Sequence, residues 1–119
     1  MAAHNELGKW GEEQAANYLR SKGFTIIECD WHSGHRDIDI IATNGQIVLF
    51  AEVKTRRNRL FTDPETAIDY SKLRNLRGAI NHYVKYKNIS LPLRLDIITV
   101  VGTPEGSQPD ITHLEDIPI

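Results

Sequence analysis

The sequence has little sulfur and no long apolar run. Its 119 residues include one cysteine and one methionine. A lone thiol, Cys29, cannot close an internal disulfide or build a multi-thiolate zinc site. Lying in the apolar run "FTIIECDW", it reads as a buried structural thiol. No apolar stretch approaches bilayer-spanning length, and "MAAHNELGKW" lacks the apolar core of a signal peptide. The expectation is a cytoplasmic protein with no membrane partner. Proline and glycine nowhere gather into a linker, and there is no repeat or low-complexity tract, so residues 1–119 are expected to form a single domain around one core. Hydrophobic residues at 40% and charged residues at 25% exclude wholesale disorder.

The formal net charge of −2 does not point to a polyanion partner, but its distribution does. Between Lys54 and Lys87 stand nine basic residues and three acidic ones, a local balance of +6 that leaves −8 for the rest. Such a segregated segment is the footprint of phosphate binding, and equally the composition of a solvated helix surface. Arg56, Arg57 and Arg59 run together, and Arg74, Arg77 and Lys85 extend the same positive stretch.

Periodicity sets out the elements. Leu7, Trp10, Gly11, Ala15, Tyr18 and Leu19 recur at helical spacing over 5–22, and Gly23 stops the helix. Residues 24–31, 36–43 and 46–54 have strand composition, with Asn44-Gly45 as a two-residue hairpin turn. Asp63-Pro64-Glu65 reads as the start of a second helix running to about Lys85, with Leu73, Leu76, Ile80, Tyr83 and Val84 as its buried stripe. "LRLDIITVV" and "DITHLEDI" read as two further strands. The order α-β-β-β-α-β-β predicts an α/β fold with a mixed central sheet flanked by helices.

The hairpin "DIDIIATNGQIVLFAEVKTR" places Asp37, Asp39, Glu52 and Lys54 among residues that should be burying themselves. With a two-residue turn, Asp37 faces Glu52 and Asp39 faces Phe50. The three acids and Lys54 then share one face, with Ile38, Ile40, Leu49, Ala51 and Val53 on the other. Like charges opposed across a strand pair are unfavourable, and one lysine cannot balance three carboxylates. Mg²⁺ suits the remainder, because it takes carboxylate oxygens, keeps waters and is completed by a substrate phosphate. In such a set two carboxylates hold the metal, while the lysine orients or helps deprotonate a water. An edge hairpin turning polar side chains to solvent has the same alternation. Glu12 shares a stripe with Ala15, Ala16 and Leu19, so it borders the packed face of the first helix. There it serves either a metal site between helix and sheet or a solvent-reaching boundary position. "HSGH", residues 32–35, reads as a polar turn; His4, His82 and His113 read as isolated surface residues, and Trp10 and Trp31 as packing residues.

The ordered blocks "GEEQA", "DIDIIA", "FAEVKTR", "LFTDPETAIDYSKLRNL" and "RLDIITV" resemble the YraN-like family of bacterial endonucleases, in the PD-(D/E)XK nuclease superfamily near Holliday-junction resolvases. The resemblance covers about residues 5–101. It implies a restriction-endonuclease-like α-β-β-β-α-β core. It implies Asp39, Glu52 and the first-helix acid Glu12 as metal-binding residues, with the Val53 carbonyl. Lys54 becomes the catalytic lysine, with Asp37 in a supporting place and Lys72 at a basic position beside the site. Arg36-Asp37 stands where the family pattern carries Gly-Glu.

These residues set three functions against one another. The leading expectation is a Mg²⁺- or Mn²⁺-dependent nuclease acting on DNA, branched or damaged forms included, gripped through Arg56, Arg57, Arg59, Lys72, Arg74 and Arg77. A resolvase-like enzyme would need two paired active sites, hence a homodimer. The alternatives are a non-catalytic nucleic-acid-binding module on the same fold and a protein-interaction domain. Salt-dependent DNA affinity separates the first two from the third.

Overall fold

The computed structural model describes residues 2–58 and 69–118, with side chains from Glu6 onward. Among the described residues, two helices and five strands follow in the expected order: α1 (Ala2–Ser21), β1 (Thr25–Ser33), β2 (Arg36–Thr43), β3 (Val48–Arg56), α2 (Tyr70–Lys87), β4 (Leu93–Val101) and β5 (Asp110–Leu114). The strands form one sheet in the order β1-β2-β3-β4-β5. Only β3 and β4 are parallel. Parallel neighbours need a crossover longer than a hairpin, and α2 lies within that connection. The result is an α/β fold consistent with an α-β-β-β-α-β nuclease-like core.

Each helix buries one stripe on one face of the sheet. Ala15, Ala16 and Leu19 of α1 pack on Ile40, Ala42, Leu49, Ala51, Ile98 and Val100. On the other side, Leu73, Leu76, Ala79, Ile80 and Tyr83 of α2 pack on Ile38, Ile41, Val48, Phe50 and Leu95. Trp31 closes this second core edge-on against Tyr83, with ring centroids 5.2 Å apart. Gly11 lets α1 lie directly on β3. A Cβ there would stand 1.9 Å from Thr55 Oγ1, so a methyl group would push the helix off the strand.

Four sequence expectations are corrected. The β2–β3 connection has four residues, because Ala42 pairs with Leu49 and Thr43 with Val48. Asn44 Oδ1 accepts from the N–H groups of Gln46 and Ile47, while Thr43 Oγ1 donates to the Ile47 carbonyl and accepts from Gly45 N–H. These side-chain bonds stabilise the wider loop over the two-residue turn. Next, α2 starts at Tyr70: Asp69 has extended backbone angles and accepts from Ser71 and Lys72 N–H, which ends any continuous helix from Asp63. The residues Asp63-Pro64-Glu65 lie outside the described residues. Third, Cys29 is exposed, because β1 is an edge strand. Finally, His113 is nearly buried, between Asp96 and Tyr18.

Candidate active site

The chemistry gathers where β2 and β3 part. Regular pairing between them stops at Ile40 and Ala51. One residue further, Asp39 Oδ2 accepts a 2.8 Å hydrogen bond from Val53 N–H, in the place of a ladder bond. Side-chain alternation breaks at the same residue. Ile40 packs on the α1 side, but Ile38 packs on the α2 side with Ile41, against the expectation that Ile38 and Ile40 share a face. Asp39 is thereby left in the seam between the two helices, within reach of acids from both directions.

Glu52 projects on the α2 side and is only 6% exposed. Its Oε2 meets Lys72 Nζ at 2.5 Å in an ion pair. That ammonium is the partner of this oxygen among the described residues, so Lys72 offsets the cost of burying the carboxylate. Burial, and then the charge of Glu52, push the Asp39 carboxyl up to about 8; Glu12 adds to the shift, while the Val53 N–H and Lys72 oppose it. Glu12, half-buried on α1, is also raised, first by burial and then by Asp30, Glu52 and Asp37. Gly11 is what brings Glu12 there, by letting the helix touch Thr55.

A cavity of about 210 Å³ is lined by Glu12, Asp39, Val53, Thr55, Arg56 and Lys72, together with Leu7 and Gly8. A second, also of about 210 Å³, holds Asp37, Glu52, Lys72, Arg36, His35 and Asn75, with Leu76. Lys72 lines both, so it stands between the two halves of the acidic site. Burial alone would lower its pKa, but the hydrogen bond to Glu52 and the charges of Glu52, Asp39 and Asp37 raise it. Lys54 lies one crevice away with Glu52, Asp69 and Lys72. Burial and the neighbouring Lys72 ammonium lower the pKa of Lys54, with Glu52 opposing.

The structure thus brings Glu12, Asp37, Asp39, Glu52, Val53, Lys54 and Lys72 together. Lys72 belongs among the acids more than to an outer basic patch. Arg56 reaches the same cavity while its Nη1 donates to the Thr55 carbonyl. Arg57 turns away, into a separate cavity beside Gly102 and Thr103. Arg74 lines a third space, between the β1–β2 turn and α2. Arg77 is exposed, and Arg59 lies outside the described residues. Asp30 escaped sequence reasoning because it sits in a strand. Its φ of 52° is one that Asp tolerates and most residues avoid, and it pairs with His32 at 2.7 Å.

Among the described residues, no group of three or more His, Cys, Asp or Glu side chains is arranged to hold a metal ion by itself. The acids gathered where β2 and β3 part fit Mg²⁺ or Mn²⁺, which need one or two carboxylates with waters and substrate phosphate. The buried Glu52 carboxylate, balanced by the single ammonium of Lys72, and the Asp39 carboxyl beside it, raised by burial and by Glu52, are the observations that carry this fit.

A mixed α/β sheet whose two diverging strands present an aspartate and a Glu-x-Lys pair defines a protein of nuclease-like fold. The family model described as "Uncharacterised protein family UPF0102" matches residues 11–100. A UPF0102 protein of Phocaeicola vulgatus is 42% identical over 116 residues, covering 98% of this chain and 94% of its own. A UPF0102 protein of Porphyromonas gingivalis is 41% identical over 115 residues, covering 97% and 85%. One from Christiangramia forsetii is 39% identical over 116, covering 98% and 96%. The chain belongs to the UPF0102 family, the YraN-like group.

Proposed function

We propose that this protein is a divalent-metal-dependent endonuclease hydrolysing DNA phosphodiesters, with branched or damaged DNA as the substrate class. The observation carrying the reading is the pair of buried carboxyls, Asp39 and Glu52, where β2 and β3 part, with Lys72 as the cation between the two halves of the site. Asp39, Glu52 and the Val53 carbonyl would hold Mg²⁺ or Mn²⁺, with Glu12 and Asp37 beside them. Bound there, the ion would supply Lewis-acid polarisation of a phosphoryl oxygen and a water of lowered pKa.

The chain's own residues supply the rest. Lys54, its proton loosened by burial and by Lys72, is suited to orient a water and accept or share its proton. Lys72 neutralises the acids before substrate arrives, and its half-exposed ammonium can swing to a phosphate. Arg56, at the cavity rim, is placed to bind the phosphate backbone.

The test is a panel of labelled linear and branched DNAs incubated with Mg²⁺ or Mn²⁺. Lys54→Ala should lower kcat by about 10²–10⁴-fold while keeping the wild-type circular dichroism spectrum. Equal cleavage by Lys54→Ala and wild type would remove the assignment. The second reading, a non-catalytic nucleic-acid-binding module, is favoured by the existing Lys72–Glu52 pair, which occupies a metal-facing oxygen. DNA binding in chelator with no cleavage in any metal would select it.

A further inference from the structure

The acidic cavity does not end at Asp37. His35, Arg36 and Asn75 line it and also line a larger cavity of about 490 Å³ that continues along α2, completed by Gly34, Arg74 and Gly78. The charge balance changes over this short distance. The first space sets Asp37 and Glu52 against Arg36 and Lys72, whereas the second has two guanidiniums, an imidazole, an amide and no carboxylate in its lining.

The two arginines come from different elements, Arg36 from the start of β2 and Arg74 from the second turn of α2. Among the described residues neither is in a salt bridge. Arg74 Nη2 donates only to Ser71 Oγ, at 3.2 Å. Arg36 lies across the helix at Gly78, its Nε 3.6 Å from where a Cβ would be, so the missing side chain keeps the cavity open beneath it. Two exposed guanidiniums lining one concave space without a carboxylate make a local positive patch, which favours an anion. Guanidinium groups match phosphate oxygens with paired N–H donors.

We propose that Arg36 and Arg74 form a phosphate seat, taking an internal phosphodiester of a nucleic-acid strand that runs along α2 from the acidic cavity. The seat rests on the nuclease reading for its choice of ligand. It holds the strand one or more nucleotides away from the scissile bond and fixes which bond lies over Asp39 and Glu52. Asn75, common to both cavities, is the polar step between them.

The test follows the arginine Nε–H signals of the full chain by NMR in chelator, where no cleavage occurs. The probes are inorganic phosphate, a single-stranded oligonucleotide without terminal phosphate, and the same strand 5′-phosphorylated. Arg36 and Arg74 signals should move with the unphosphorylated strand. Arg36→Ala should weaken its binding by about tenfold and reduce the slope of log affinity against log salt by about 0.7. Gly78→Glu, which keeps both arginines but sets a carboxylate beside Arg36, should reproduce the loss. Lys22→Ala, on α1's end of the molecule, should not.

Unmoved signals with every probe would overturn the seat. A response limited to inorganic phosphate and the 5′-phosphorylated strand would overturn the internal-phosphodiester assignment. Cleavage of DNA with Mg²⁺ in a protein whose Arg36 and Arg74 signals stay still removes the seat and leaves the nuclease. Shifted signals in a protein that cuts nothing leave the seat and remove hydrolysis.

Discussion

Replacing Asp39 by Asn should make the metal-free protein more stable and unable to gain from Mg²⁺. In the unfolded chain Asp39 ionises near 3.8, while in the fold it keeps its proton to about 8. Between these values the unfolded state releases a proton that the folded state retains, so raising pH favours unfolding. The slope from this group is about 1.4 kcal/mol per pH unit. Over some four units the upper bound is roughly 6 kcal/mol, and water entry with side-chain relaxation reduces the realised figure to about 2–4 kcal/mol. Asn is neutral throughout, and its amide oxygen can still accept from Val53 N–H. Urea unfolding should therefore find D39N and wild type within about 1 kcal/mol near pH 4, with D39N ahead by about 2–4 kcal/mol near pH 8. For a chain of this length that is about 8–16 °C in Tm. Added Mg²⁺ should raise the wild-type Tm more near pH 8 than near pH 5, since protons compete for the same carboxylate, and leave D39N unmoved. A gap between the two proteins that does not widen with pH would refute the buried-acid reasoning.

Lys72 and a cation compete for Glu52, so Lys72→Met should lower metal-free stability and enlarge the Mg²⁺-induced Tm shift; an unchanged shift would count against the competition. Gly11→Ala places a methyl against Thr55, and should cost about 1–3 kcal/mol and lower any cleavage rate by displacing Glu12. Thr55→Ala should recover part of the stability loss, a coupling that a double-mutant cycle reads directly. Asp96 is fully buried and bonded to His113, to Arg94 Nε and Nη2, and to Asp116 N–H. Burial would raise its pKa, but those bonds outweigh it and hold the carboxyl below 3.8. Its contribution is present above that value and lost as pH falls through the folded pKa. Asp96→Asn should therefore cost roughly 2–4 kcal/mol at neutral pH, and in urea titrations the gap should narrow as pH falls below 3.8.

Element order, both helical stripes and the convergence of Asp39, Glu52 and Lys54 were legible in the chain itself, because they depend on local periodicity. The hairpin register was misjudged by two residues. A strand repeats its side-chain direction every second residue, so that error kept Glu52 and Lys54 on the side first assigned to them, while Asp39 lies in the seam where alternation breaks. The glycine of "GEEQA" was legible as a residue at core spacing but not as the contact point with Thr55.

What needed the folded chain was everything that turns on distant neighbours. Periodicity carries no sign of the break at Asp39, which arises because β2 leaves β3 there and a carboxylate replaces a ladder bond. Lys72 among the acids, Arg36 across from Arg74, and His113 sealed between Asp96 and Tyr18 each join segments far apart in sequence. Cys29 shows the same limit from the other side: an apolar context predicts burial, but an edge strand leaves one flank uncovered. Alternation along a strand decides which way a side chain points; only the packing of helices on that strand decides what it meets.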